Sequence, residues 1–209
     1  MKGLLLKDLF VVSEFVRVLT LMAIVFIASM MAIDGFSVIV AMISLLVVSL
    51  VISSFSYDDL AHWDSFAATL PVSRRKLVAS KYLFLLLLGV LAVVFNGLVS
   101  VLFAALQPGV SLAEQFVTGI LISMAACIID FVLIPLIYKY GAEKSRMMMM
   151  VIVIIFGITY GGAALLKMLN IGTDWITLPI LIGGLAAAFL ASLLISWICS
   201  VKIVEKKEY

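Results

Sequence analysis

Charged side chains are scarce in this sequence: Asp, Glu, Lys and Arg make up 12% of its 209 residues, and it has one histidine. Hydrophobic residues make up 66% of the chain, and the mean hydropathy is +1.32. Such a composition is typical of an integral membrane protein and excludes an ordinary soluble domain. Six membrane spans of roughly 20 residues each would use well over half of the chain. We therefore predict a single membrane domain over residues 1–209, without a soluble domain.

The motifs of several kinds of catalytic site are also missing. The sequence has no G-x-x-x-x-G-K-[ST] loop for ATP, no H-E-x-x-H and no C-x-x-C. It has no G-x-S-x-G, and Asp130 has no second intramembrane aspartate beside it, which argues against serine and aspartyl membrane proteases. We therefore expect no catalytic residue, no metal site and no cofactor bound by this chain.

Long apolar runs predict an all-α fold. We expect an amphipathic interfacial helix over residues 1–15, followed by six transmembrane helices at about 16–33, 36–56, 82–106, 115–138, 147–168 and 176–200. All lysines and arginines except Lys167 fall on one side of this arrangement. Because cytoplasmic connections are enriched in basic residues, both termini are predicted to be cytoplasmic.

The largest polar segment, residues 57–81, lies between the second and third predicted spans and contains the only histidine. At about 100° per residue, its first part has one polar and one apolar helix face. Pro71 ends that helix, because a proline disfavours helical geometry in the residue before it. We predict a cytoplasmic helix over about 57–70, with the polar face Asp58, His62, Ser65 and Thr69, and the apolar face Leu60, Trp63, Ala67 and Leu70.

Two polar residues lie inside predicted spans. Asn96 is in the middle of the third span, and Asp130 is in the fourth. A carboxylate within the membrane costs about 2.5–3.5 kcal/mol on insertion scales, so Asp130 should face protein or water. It could belong to a translocation path, together with Asn96, or form a hydrogen bond between helices. The sequence leaves both interpretations open.

The segment from Tyr57 to Tyr82 contains the run Trp63-Asp64-Ser65-Phe66-Ala67 and, after Thr69, Leu70-Pro71-Val72-Ser73-Arg74-Arg75-Lys76. This segment resembles the signature of short bacterial ABC-2-type transporter permeases, and the start Met1-Lys2-Gly3-Leu4-Leu5-Leu6-Lys7-Asp8-Leu9 is similar to theirs. Within that group, the chain is most similar to permeases of phenol-soluble-modulin-type and bacteriocin-type peptide exporters.

The resemblance implies six spans, an N-terminal interfacial helix and a coupling helix that docks on a separate cytoplasmic ATPase. It also implies a complex of two permeases, identical or paralogous, with an ATPase dimer that binds ATP and Mg, in the bacterial cytoplasmic membrane. Carried over by position, the coupling-helix contacts are Asp58, Asp59, His62, Trp63, Asp64, Phe66, Ala67 and Leu70. A second cytoplasmic contact would comprise Lys139, Tyr140, Glu143, Lys144 and Arg146, and the membrane-surface anchors would be Arg74, Arg75 and Lys76.

The expected function is therefore that of a permease subunit of an ATP-driven exporter for amphipathic peptides, including antimicrobial peptides, or similar hydrophobic cargo. Translocation would require the ATP-binding subunit, and nucleic acid is not an expected partner. Two alternatives remain. One is a stand-alone secondary transporter that uses Asp130, and the other is a non-transporting membrane anchor or immunity subunit.

Overall fold

The computed structural model describes residues 2–29, 36–69, 72–106, 111–168 and 178–206. Over these ranges the regular structure is helical, and the helices are α1 (Lys2–Ser29), α2 (Phe36–Leu60), α3 (Trp63–Thr69), α4 (Arg74–Leu106), α5 (Leu112–Tyr140), α6 (Ala142–Met168) and α7 (Leu178–Lys206). A helix satisfies its backbone hydrogen bonds internally, which is what a lipid environment demands of an apolar segment.

Four helical segments within the described ranges are long and apolar enough to cross a membrane: Val38–Leu60, Arg74–Ala105, Leu112–Tyr140 and Ile182–Lys206. These segments make the chain a multi-pass membrane protein. The first and fifth predicted spans fall on α1 and α6 where those helices are described, and the total of six spans stays a prediction. The side of the membrane on which the termini lie also stays a prediction.

Helix α5 is the centre of the bundle and packs against α2, α4, α6 and α7. Fully buried side chains of the hydrophobic core include Phe84 and Leu85 of α4 and Phe131, Leu133 and Ile134 of α5. The opposite face of α4 exposes its aliphatic side chains, as a surface in contact with lipid would.

Two predicted elements differ from the structure. The helix predicted over 57–70 is divided, because α2 continues to Leu60 and α3 begins only at Trp63. The connection passes through His62, which has a positive φ of 49°. The predicted interfacial helix and first span belong to one continuous helix, α1. Its polar residues Lys7 and Asp8 find partners inside the bundle, so α1 need not lie flat on the membrane surface to satisfy them.

Candidate functional site

Contacts between helices gather most of the chain's polar segments at one end of the bundle, here called the α3 end. Lys7 near the start of α1 pairs with Asp58 near the end of α2. The side chain of Asp59 accepts a hydrogen bond from the first residue of α6, and Arg74 at the start of α4 donates to a carbonyl near the end of α7. The two segments predicted to contact an ATPase, 57–70 and 139–146, therefore lie side by side.

A charge cluster, defined by Lys7, Asp8, Ser54, Asp58 and Lys81, joins α1, α2 and α4 at this end. The Lys81 ammonium lies 2.8 Å from Asp8 Oδ1 and 2.7 Å from Asp58 Oδ2, and it donates to Ser54 Oγ at 2.7 Å. The Lys7 ammonium lies 2.5 Å from Asp58 Oδ1 and 3.5 Å from Asp8 Oδ1. Ser54 in turn donates to Asp8 Oδ1 at 2.8 Å. Two cations therefore balance two carboxylates.

Three members of the charge cluster are shielded from solvent, since only 1% of Asp8, 5% of Lys81 and 8% of Asp58 is exposed, whereas 24% of the Lys7 side chain is exposed. Removing one partner of a buried ion pair leaves the other charge buried and unpaired, which strongly destabilises the fold. The prediction that Asp58 lies on a solvent-facing side is therefore wrong for this conformation. The partners that bury Asp58 come from other helices, so the local sequence pattern gave no signal of them.

Helix α3 is held against the charge cluster through an aromatic ring. The Lys7 ammonium lies 4.1 Å from the centre of the Trp63 ring, a distance at which cation–π attraction contributes to stability. Trp63 also contacts Phe66, with ring centres 5.4 Å apart, and Ala67 is buried. By contrast, 55% of Phe66 and 78% of Leu60 is exposed. Trp63 therefore attaches α3 to the bundle, while Phe66 and Leu60 are available at the surface.

Asp59 links the two polar segments directly. Its Oδ2 accepts a hydrogen bond from the backbone N–H of Ala142 at 2.9 Å, so it caps α6 from another part of the chain. Gly141, the residue before α6, has a φ of +85° that favours glycine. An open groove of about 650 Å³ lies between the segments, and its lining includes Tyr57, Leu60, His62, Tyr140, Glu143, Lys144 and Arg146. We call this groove and the exposed side of α3 the docking surface.

The other residues predicted to contact the ATPase or the membrane surface do not form one cluster. Lys139 lies over the ring of Tyr140, 5.1 Å from its centre, and His62 and Lys76 are exposed. Leu70 and the side chain of Asp64 lie outside the described residues.

A match to a known protein family decides the class of this chain. A family model described as "ABC-2 family transporter protein" matches residues 3–205. The chain belongs to the ABC-2 transporter family. It is the membrane permease component of an ABC transporter, and the family implies an ATP-binding partner. No curated protein and no solved structure matches the chain, so the similarity to peptide exporters in particular stays a prediction.

Arg74 and Arg75 of the permease bind the end of α7. Arg74 Nη1 donates to the carbonyl oxygens of Val204 at 3.2 Å and Glu205 at 2.9 Å, and Arg75 Nε lies 2.8 Å from Glu205 Oε1. Cations are favourable at a helix C-terminus because its carbonyls carry partial negative charge. The predicted role as membrane-surface anchors is not tested by these contacts, which add a second role.

Asn96 of the permease, which the sequence analysis named as one candidate for a translocation path, is buried. Its Nδ2 donates to Ser44 Oγ of α2 and to Ser123 Oγ of α5, both at 2.8 Å. The hydroxyls of Ser44 and Ser123 donate hydrogen bonds to backbone carbonyls one turn earlier in their own helices. In this conformation Asn96 therefore joins α2, α4 and α5.

Asp130 is buried in α5, and neither of its carboxyl oxygens has a hydrogen-bond partner among the described residues. The hydrogen bond between helices that one interpretation expected is therefore not present in this part of the chain. An unpaired buried carboxyl is costly, which keeps a role in transport open for Asp130.

Sequence reasoning missed a hydroxyl cluster that joins α4, α5 and α7. Tyr82 Oη lies 2.5 Å from Ser196 Oγ and 2.9 Å from Ser200 Oγ, and Ser196 donates to the carbonyl of Phe131. The Tyr82 ring stacks on Phe131 and meets Trp197 edge-on. The spacing of Ser196 and Ser200, one helical turn apart in an apolar run, was the available signal.

Proposed function

We propose that this permease is half of the transmembrane part of an ATP-driven exporter and that its ATPase partner binds at the docking surface. The observation that supports this most directly is the hydrogen bond from Ala142 N to Asp59 Oδ2. It joins two segments that lie some 80 residues apart. The first resembles the coupling helix of other permeases, and the second is the smaller ATPase contact that the resemblance implies by position. On this proposal the α3 end is cytoplasmic, and ATP and Mg are bound by the partner subunits.

Apolar contacts supply most of the affinity in this proposal. Exposed ion pairs contribute only about 0–1 kcal/mol each, because water and salt screen them. Large aromatic side chains in a partner's pocket dominate the energy of typical interfaces. Phe66 and Leu60 are exposed beside polar groups, and we assign them as anchors. His62, Lys144 and Arg146 then set orientation through complementary charges.

The power stroke reaches the membrane helices through the charge cluster. When ATP binding moves the ATPase subunits together, α3 moves with them. Trp63 contacts Lys7 of α1, Lys7 pairs with Asp58 of α2, and Asp58 pairs with Lys81 of α4. A displacement of α3 is thus passed to three helices through contacts that are partly buried at Lys7 and fully buried at Lys81, and a path between two permease copies opens outward.

The proposed cargo is an amphipathic peptide, an antimicrobial peptide for example, or a similar hydrophobic molecule exported across the bacterial cytoplasmic membrane. The support for this cargo is the resemblance of residues 57–82 to peptide-exporter permeases. The membrane-spanning part of the chain is also mostly apolar, which suits a cargo with an apolar face.

A second candidate function is secondary transport through Asp130. It is supported by the burial of this carboxyl group without a hydrogen-bond partner among the described residues. That function predicts transport by the permease alone, abolished by Asp130→Asn and unaffected by Trp63→Ala. A membrane-anchor function predicts partner binding with no cargo movement under any condition.

The test uses proteoliposomes that contain the permease with its ATPase, the cargo peptide and ATP. We expect the double variant Trp63→Ala/Phe66→Ala to lose at least tenfold in peptide transport and in peptide-stimulated ATP hydrolysis, because the anchor and its support are removed. The matched control is Leu98→Ala, which truncates an exposed apolar side chain on α4 and should transport normally. Normal coupling in the double variant, or transport by the permease without ATPase, would overturn the proposal.

A further inference from the structure

Two grooves of different chemistry meet at the α3 end and share the residues Ser53 and Arg146. The first is the polar groove of the docking surface. The second has a volume of about 630 Å³, and apart from the two shared residues it is lined by Leu45, Ser49, Ile52, Met149, Met150 and Ile154. Together they form one depression with a polar head and an apolar tail, between α2 and α6.

The tail is apolar even where serines line it. Ser49 Oγ donates to the carbonyl of Leu46 at 2.7 Å, and Ser53 Oγ reaches the carbonyl of Ser49 at 3.5 Å, so both hydroxyls are directed to their own helix. From Leu45 to Ile52, the tail follows α2 for about 10 Å at 1.5 Å per residue. Thioether side chains such as Met149 and Met150 adapt to irregular apolar ligands. A flexible hydrocarbon chain fits this lining.

The head presents two cations that form no ion pair within the part of the chain that the structure describes. Arg146 and Lys144 are exposed, and neither pairs with a described residue. Of the two acids in the lining, Asp59 already accepts a hydrogen bond from the N-terminus of α6. Glu143 is exposed, and with Asp59 it brings the formal charge of the lining to zero, so the site depends on the position of Arg146 rather than on an excess of positive charge. The planar guanidinium of Arg146, located where the grooves join, is suited to bind two oxygens of a phosphate.

We propose that this head-and-tail groove binds an anionic phospholipid from the membrane leaflet at the α3 end. Its phosphate contacts Arg146, with Lys144 nearby, and one acyl chain lies between α2 and α6. Basic pockets between transmembrane helices are known to bind the head groups of acidic lipids. The lipid head group would share Lys144 and Arg146 with the ATPase contact proposed above, so it would be part of the docking surface itself. This site does not depend on the proposed function, because lipid binding requires neither an ATPase nor transport.

The test measures lipid retained by the full-length permease in detergent, by native mass spectrometry, with phosphatidylglycerol and phosphatidylcholine of the same chain length. We expect the wild-type protein to retain phosphatidylglycerol about tenfold more tightly, and Arg146→Gln to remove that preference. Lys202→Gln is the matched control. Lys202 is an exposed cation of α7 near the α3 end of the bundle, but it does not line either groove. Met150→Trp, which fills the tail, should weaken retention of both lipids.

Equal retention of the two lipids by the wild-type protein, or an unchanged preference in Arg146→Gln, would overturn the proposal. Inorganic phosphate at millimolar concentration should not displace phosphatidylglycerol, because it lacks the acyl chain, and displacement would show a simple anion site instead. If an acidic amphipathic peptide competes with phosphatidylglycerol for the groove and binds more tightly, the site belongs to cargo and the lipid assignment is wrong.

Discussion

Replacement of Lys81 should strongly destabilise the permease, because Lys81 donates to three acceptors in the charge cluster. In Lys81→Met, Asp58 keeps Lys7 at 2.5 Å. Asp8 keeps the Ser54 hydroxyl at 2.8 Å and Lys7 only at 3.5 Å. Removing one partner of a buried ion pair typically costs about 3–5 kcal/mol. The contacts that remain to both carboxylates place the expected loss near the lower value.

The assay is thermal unfolding of the purified permease in detergent, followed by circular dichroism. For a chain of this length, a loss of about 3 kcal/mol corresponds to roughly 6–12 °C in melting temperature. The control is Arg75→Met, which breaks an ion pair whose side chains are 71% and 43% exposed and should cost at most about 1 kcal/mol. Adding Asp8→Asn to Lys81→Met should restore part of the stability, because the stranded charge is removed. A Lys81→Met protein that melts within 2 °C of the wild type would refute this reasoning, a threshold that corresponds to about 1 kcal/mol.

Three further substitutions test other contacts. Asn96→Leu removes two hydrogen bonds, each worth about 0.5–1.5 kcal/mol, and should lower the melting temperature. A wild-type value would show that Asn96 does not hold the three helices together. Asp59→Ala removes the cap of α6 at a cost of about 0.5–2 kcal/mol. Hydrogen exchange at the Ala142 amide should accelerate in Asp59→Ala but much less in Asp59→Asn, and equal exchange in both variants would contradict the capping role. Tyr82→Phe keeps the stacked ring and loses the hydroxyl contacts, so a loss of about 1–3 kcal/mol in unfolding free energy is expected, and none if the cluster is unimportant.

The helices themselves were predictable from the sequence, because a long apolar run that must satisfy its own backbone in lipid has one local solution. The division between α2 and α3 was not. The amphipathic pattern of residues 57–70 continues through His62, whose positive φ interrupts the helix. Leu60 therefore belongs to the end of α2 and is exposed, although the pattern placed it on the same face as Trp63 and Ala67.

The charge cluster was beyond sequence reasoning for a different reason. Lys7 and Asp58 are 51 residues apart, and Asp8 and Lys81 are 73 residues apart, so the pairs exist only once α1, α2 and α4 are packed. Asp58 and Asp59 illustrate the difficulty. Neighbouring residues point about 100° apart on a helix, so one side chain enters the bundle while the other caps α6.

The most direct test of the account is a photo-crosslink from the proposed anchor of the docking surface. A photoreactive phenylalanine analogue such as benzoylphenylalanine is placed at Phe66 in the permease, the membranes that contain the whole transporter are irradiated, and the covalent product is identified by mass spectrometry. The account predicts a crosslink to an ATP-binding subunit from position 66 and none from position 98 on the exposed face of α4. Crosslinks from position 66 to lipid alone, with the ATP-binding subunit present, would contradict the claim that α3 is where this permease receives its power stroke.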